Sequence, residues 1–156
     1  MKLTDESKFF LGIFLFTAAI LGGAMWAFSR PEKAVTVPKE TLISKDTHTT
    51  GNPQAKTYLV EFSDFQCPAC GAFEPVVEQL ITKYPDTLQF AYRHYPLPQH
   101  PQGVPAARAA EAAALQGKFW EMHHAIFSRQ TDISDALYPE LAKQLSLDVP
   151  TFEKDM

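Results

Sequence analysis

From Phe9 to Phe28 the chain carries no charged residue, and most of these twenty positions are Phe, Leu, Ile, Ala or Gly. Twenty residues in an α-helix span about 30 Å, the hydrocarbon thickness of a bilayer. A buried core helix would interleave polar positions at helical spacing, and this run does not. Trp26 lies near its outer end, where an indole suits the membrane interface. The competing reading is a cleaved leader, since Ala27-Phe28-Ser29 is a small-x-small triplet. Leaders, however, use about 7–15 apolar residues behind a basic start, and here Asp5 and Glu6 dilute that start. The expectation is a tail over 1–8 and a transmembrane anchor over 9–28, with cleavage near Ser29 as the alternative.

The remainder of a 156-residue chain suits one domain. Net charge is −4 without any Lys/Arg run, which argues against nucleic acid as a partner. The only two cysteines, Cys67 and Cys70, sit in Cys67-Pro68-Ala69-Cys70. A bridge between them closes a very short loop and removes little unfolded-state entropy. Chemistry explains the pair better than stability does. It is either a redox dithiol or half of a zinc site, and zinc would need two further ligands. His94, His100, His123 and His124 are available, but His123 and His124 are neighbours whose side chains leave a helix about 100° apart, a poor start for sharing one ion.

Residues 29–56 are polar, hold Pro31, Pro38 and Pro53, and read as a linker closing on the turn signal Gly51-Asn52-Pro53. Tyr58-Leu59-Val60-Glu61-Phe62 reads as a short buried strand broken by one acid. A helix opens near Cys67, with Phe73, Val77, Leu80, Ile81 and Tyr84 on one face and Pro75 inside it, where a kink is expected. Leu88 to Arg93 alternates as a second strand, and strand–helix–strand at this length makes a parallel unit. Beyond Pro98 the character is helical. An alanine-rich helix over 106–115 ends at Gly117, Phe119 to Phe127 forms a second, and Leu137, Leu141 and Leu145 mark a third capped by Asp132 or Ser134. A further helix starts around Pro150.

A cysteine pair between strand and helix places the Cys67 sulfur at unsatisfied amides and the positive dipole end, which favours thiolate. Pro68 suits the first helical turn, and Cys70, one turn deeper, suits a resolving thiol. Glu61 in mid-strand reads as a buried carboxylate behind Cys70, able to accept a proton. Asp64 and Gln66 read as solvated loop residues.

The segments Gly51-Asn52-Pro53, Val60 through Cys70, Phe73-Glu74-Pro75, Tyr92 through Leu97, and His100 through Phe127 together resemble the DsbA/BdbD family of thioredoxin-like disulfide oxidoreductases. The resemblance implies an α/β fold: a thioredoxin-like core over 57–97 and its α-helical insertion over 98–156, preceded by one transmembrane helix. It further implies Cys67 as attacking cysteine, Cys70 as partner and Glu61 as buried acid. Pro68, Ala69 and Pro75 support them, and the redox-active dithiol serves without cofactor or metal. Implied partners are reduced or misoxidised extracytoplasmic proteins and a membrane redox partner. The expected location is the cell membrane, single-pass, with the catalytic domain on the extracytoplasmic side. That side is chosen because a dithiol oxidant works in an oxidising compartment; Lys2 and Lys8 before the span, against Arg30, Lys33 and Lys39 after it, do not favour an amino-terminus-inside topology. Two departures stand out. Ala69 replaces the histidine of the strongest oxidants, implying a less oxidising couple. The family's cis-proline loop, later strands and final helix are not in the sequence, so the chain is expected to end inside the insertion. A thiol reductase of another extracytoplasmic pathway, or a non-catalytic fragment, are the alternatives.

Overall fold

The computed structural model describes residues 5–29 and 36–156, which fall into two units, one up to Val37 and one from Pro38 to Met156. In the first, helix α1 (Asp5–Phe28) runs for 24 residues, about 36 Å. Within it Ser7–Phe28 is long and apolar enough to cross a membrane, with its side chains outward. Within the apolar run, the Thr17 hydroxyl turns back to donate to the Phe14 carbonyl at 2.9 Å. Lys2, Arg30, Pro31 and Lys33 lie outside the described residues.

In the second unit a short helix α2 (Lys39–Leu42) precedes strand β1 (His48–Gly51). The residues read as linker therefore contribute to the sheet: β1 pairs antiparallel with β3 (Leu88–His94), His48 opposite Tyr92. Three polar residues and a glycine carry no periodicity of their own, and their strand state comes from the partner edge they pair with. Gly51 ends β1 at φ +82°, where a Cβ would strike the Leu88 carbonyl. The Asn52 amide N–H donates to that carbonyl at 3.0 Å while its side chain donates to the Asp86 carbonyl at 2.7 Å and accepts from Gln54 N. The expected turn is thus an Asx turn.

Strand β2 (Thr57–Ser63) pairs parallel with β3 from Thr57–Leu88 to Ser63–His94, and helix α3 (Pro68–Lys83) makes the crossover, as expected. The sheet order is β1-β3-β2. As the central strand, β3 is buried from Leu88 through Tyr92, including Gln89. The apolar–polar alternation read there does not translate into one wet face, because both faces of β3 are covered. On α3 the expected packed face is only partly realised: Val77 is buried, whereas Phe73 is 65% exposed and Tyr84 43%. Tyr58 and Phe62 on β2, the outer strand, are exposed beside them.

Helices α4 (Gly103–Leu115) and α5 (Phe119–Ser128) join through Gly117 at φ +75°, with Lys118 N donating to the Ala113 carbonyl, the expected glycine cap. Ala106, Ala109, Ala110, Ala112 and Ala113 are fully buried, so α4 presents only methyl groups and lets α5 approach closely. A 3₁₀ turn (Gln130–Asp132) leads to α6 (Leu137–Gln144). Neither expected cap serves α6: Ala136 occupies that position without a side-chain bond, because Asp132 is drawn into an ion pair with Arg129 at 2.8 Å. Helix α7 (Val149–Asp155) starts at Val149 with Pro150 in its first turn, near the start that was read, and is capped by Asp148 accepting from Thr151 N at 2.8 Å. The helices close over Phe65, Phe90, Tyr92, Met122, Ile126, Tyr138 and Phe152.

Candidate redox site

Cys67 is the N-cap of α3, in extended conformation (φ −74°, ψ 119°), and Pro68 fills the first helical position where no N–H is missed. Both thiols are free and half-buried. The main-chain N–H of Cys70 first, with the Cys70 thiol and the Ala69 N–H, holds the Cys67 pKa below its ordinary value against the opposing effect of burial. The Asp64 carboxylate pulls weakly the other way. Cys70 behaves oppositely, its pKa pushed up chiefly by burial. Two identical side chains three positions apart are thereby made unequal in how readily they ionise.

Glu61 stands on β2 opposite Tyr92 in register, so the two side chains share a face. Burial raises the Glu61 pKa, the Ser63 hydroxyl opposes this and the negative Glu74 adds to it. Its Oε2 is buried without a hydrogen-bond partner. Glu61, Cys70, Ala69, Phe73 and Val77 line one groove of about 300 Å³. The sequence-read acid and the deeper thiol therefore meet in the same space. Pro75 lies one turn further along α3, against a separate cavity with Glu74 and His124.

Asp64 is not a solvated loop residue; it is 3% exposed and organises the approach to the cysteines. Its Oδ1 accepts from Gln66 N at 2.8 Å, and its Oδ2 accepts from Leu97 N and binds His100 Nδ1, both at 2.7 Å. A carboxylate tolerates such burial because three donors converge on its two oxygens. Gln66 is likewise engaged, accepting from Gln102 N at 2.7 Å. Gln130, which the sequence did not single out, donates from Nε2 to the carbonyls of Phe65 at 2.8 Å and Cys67 at 2.9 Å. Gly71 makes room for it, since a Cβ there would overlap the Gln130 amide. An Asp directly after a strand and before a helix is a turn signal that could have revealed Asp64; Gln130 left no local signal.

The histidines divide differently from expectation. His94 and His48 both bond Glu111 Oε1 at 2.9 Å, which with burial opposing brings the Glu111 pKa down to about 2. His123 Nδ1 and His124 Nδ1 lie 3.5 and 3.2 Å from the same oxygen, Glu74 Oε1. Neighbouring side chains that leave the helix in different directions are thus brought back together by ring rotation toward a carboxylate on α3. Burial lowers the His123 pKa to about 3, whereas the bond to Glu74 raises that of His124.

Residues 43–155 match the thioredoxin family Thioredoxin_4, described as Thioredoxin, and the chain belongs to it. Na(+)/H(+) antiporter NhaA 1 of Mycolicibacterium gilvum (strain PYR-GCK) is 39% identical over 110 residues, which is 70% of this chain and 18% of the antiporter. The chain spans less than a fifth of that relative's length. Among solved structures, the thiol-disulfide exchange protein α-DsbA2 from Wolbachia pipientis superposes with a TM-score of 0.68 at 24% identity, covering 75% of this chain and 62% of that one. A thioredoxin-like oxidoreductase from Silicibacter pomeroyi DSS-3 gives 0.66 at 27%, covering 76% and 68%. The fold is the thioredoxin-like fold that the resemblance implied, and its solved structural neighbours include DsbA and BdbD proteins.

Proposed function

We propose that this chain is a thiol–disulfide oxidoreductase that oxidises extracytoplasmic proteins through Cys67 and Cys70, with no redox group beyond the dithiol. The observation that carries this reading is the inequality of the two thiols at the start of α3, one held toward thiolate by main-chain N–H groups and the other buried. A substrate thiolate attacks the Cys67 sulfur of the Cys67–Cys70 disulfide. The sulfur–sulfur bond breaks, and Cys70 leaves as a thiolate that takes a proton from the Glu61 carboxyl. A second substrate thiolate then attacks the substrate sulfur of the mixed disulfide and expels Cys67 as thiolate. The substrate loses two electrons, the pair gains them, and a membrane redox partner removes them again.

Phe9–Phe28 serves as an uncleaved anchor holding the domain outside the membrane, supported by the length and composition of α1. A cleaved product starting near Ser29 would instead be shorter by that segment on a gel. Ala69 between the cysteines supplies no imidazole to stabilise the thiolate, which supports a second reading as a reductase. Equilibration with glutathione buffers separates the two: a potential near roughly −270 mV, that of a reducing thioredoxin, would replace the oxidase by the reductase. Cys70→Ser is expected to accumulate mixed disulfides with an unfolded reduced protein, and Cys67→Ser is not. The reverse pattern would exchange the two roles.

A further inference from the structure

One turn beyond Cys70, α3 carries Glu74, a carboxylate 9% exposed whose Oε2 has no hydrogen-bond partner. Facing it from α5 is His123, 1% exposed, with neither ring nitrogen hydrogen-bonded. A buried imidazole with both nitrogens idle forgoes bonds it would make in water, so it calls for a ligand. His124 stands beside it at the rim, its side chain 45% exposed. One ligand atom from each of Glu74, His123 and His124 lies within 4.8 Å of the other two, and Glu74 Oε1 is 3.5 Å from His123 Nδ1 and 3.2 Å from His124 Nδ1.

From these contacts we infer that Glu74, His123 and His124 form a binding site for a divalent transition-metal ion of the Zn²⁺ class. Ligand atoms about 2.0–2.2 Å from a tetrahedral ion sit about 3.3–3.5 Å apart, which is close to the spacing of the carboxylate and the two imidazoles. Two imidazole nitrogens and one carboxylate oxygen select zinc and its neighbours over calcium or magnesium, which require more oxygen ligands. Glu74 and His124 line a cavity of about 330 Å³ together with Gly71, Glu78 and Ser128, which leaves room for water or an outer ligand as a fourth donor. Hydrogen bonding of His124 to Glu74 accounts for one ring only; an ion accounts for His123 as well. The site is carried by the same helix that presents the cysteines, yet it uses neither thiol.

The test uses the full chain in detergent micelles carrying Cys67→Ser and Cys70→Ser, so that the thiols cannot take the metal. Calorimetric titration with Zn²⁺ is expected to give one ion per chain with a Kd on the order of micromolar or tighter. Co²⁺ should produce the visible absorption of a four- or five-coordinate site. His124→Ala, at the exposed rim and so tolerated by the fold, and Glu74→Gln, which keeps the side-chain volume, should each weaken binding about tenfold or more. Glu111→Gln, in the other histidine–carboxylate cluster, should leave it unchanged. No binding, or binding that survives both His124→Ala and Glu74→Gln, would overturn the proposal, as would loss of binding in Glu111→Gln alone.

Discussion

Replacing Gln130 by alanine removes an amide that two main-chain carbonyls of the cysteine loop share. The Cys67 carbonyl keeps its helical bond from Gly71 N at 3.1 Å, so its loss is the smaller one, about 0.5–1 kcal/mol. Phe65 is 1% exposed, and its carbonyl left without the amide costs about 1–2 kcal/mol. The total is about 1.5–3 kcal/mol. Gly71→Ala should reach the same end by another route, because its Cβ displaces the Gln130 amide. Against that loss, alanine improves a helix interior by about 1 kcal/mol over glycine. Gly71→Ala should therefore destabilise the Gln130 protein by about 0.5–2 kcal/mol yet stabilise the Gln130→Ala protein by about 1 kcal/mol, a reversal of sign worth about 1.5–3 kcal/mol of coupling. Urea unfolding of the reduced protein, followed by Trp120 fluorescence in a Trp26→Phe background, measures all four corners of the cycle. If Gly71→Ala changes stability equally in both backgrounds, Gln130 is not what fills the space beside Gly71.

The thiol inequality predicts that, in Cys70→Ser, Cys67 alkylates with a pH midpoint below the ordinary cysteine value of about 8.5; a midpoint at or above it would show that the main-chain N–H groups do not act on the sulfur. Burial raises the Glu61 pKa, so its contribution is fully present below the ordinary carboxyl range and lost as pH rises through the raised value. Glu61→Gln should thus match the wild type in thermal melts near pH 4 and exceed it near pH 8, and a variant that melts lower near pH 8 would contradict the assignment. Glu111 is the opposite case, its pKa lowered to about 2, so its contribution is present above about pH 4.5 and disappears as pH falls toward 2. Because its side chain is half exposed, Glu111→Gln should cost only about 1 kcal/mol at neutral pH in denaturant unfolding, shrinking in acid; a cost that persists undiminished near pH 2 would refute the pairing with His48 and His94.

The local frame of the cysteine pair was legible because its parts are neighbours in sequence. The strand ending at Ser63, the cap position of Cys67 and the proline after it each have local causes, and so do the caps at Gly117 and Asp148. What was missed depends on partners far along the chain. His48–Gly51 is a strand because β3 is beside it, and Asp64 is buried because Leu97 and His100 return to meet it. His123 and His124 converge on Glu74 across 49 and 50 positions of sequence. Periodicity along one element carries no record of such meetings.

The loop that presents Cys67 is held by Leu97 and His100 through Asp64, by Gln102 through Gln66, and by Gln130 directly. All four lie carboxy-terminal to the cysteines, the last of them 63 positions later. As a chain made from its amino terminus emerges, the dithiol is exposed well before the side chains that hold it. A newborn CPAC segment and the finished site therefore share a sequence but not a chemistry: until Gln130 has been made and folded back, the cysteines belong to an open loop.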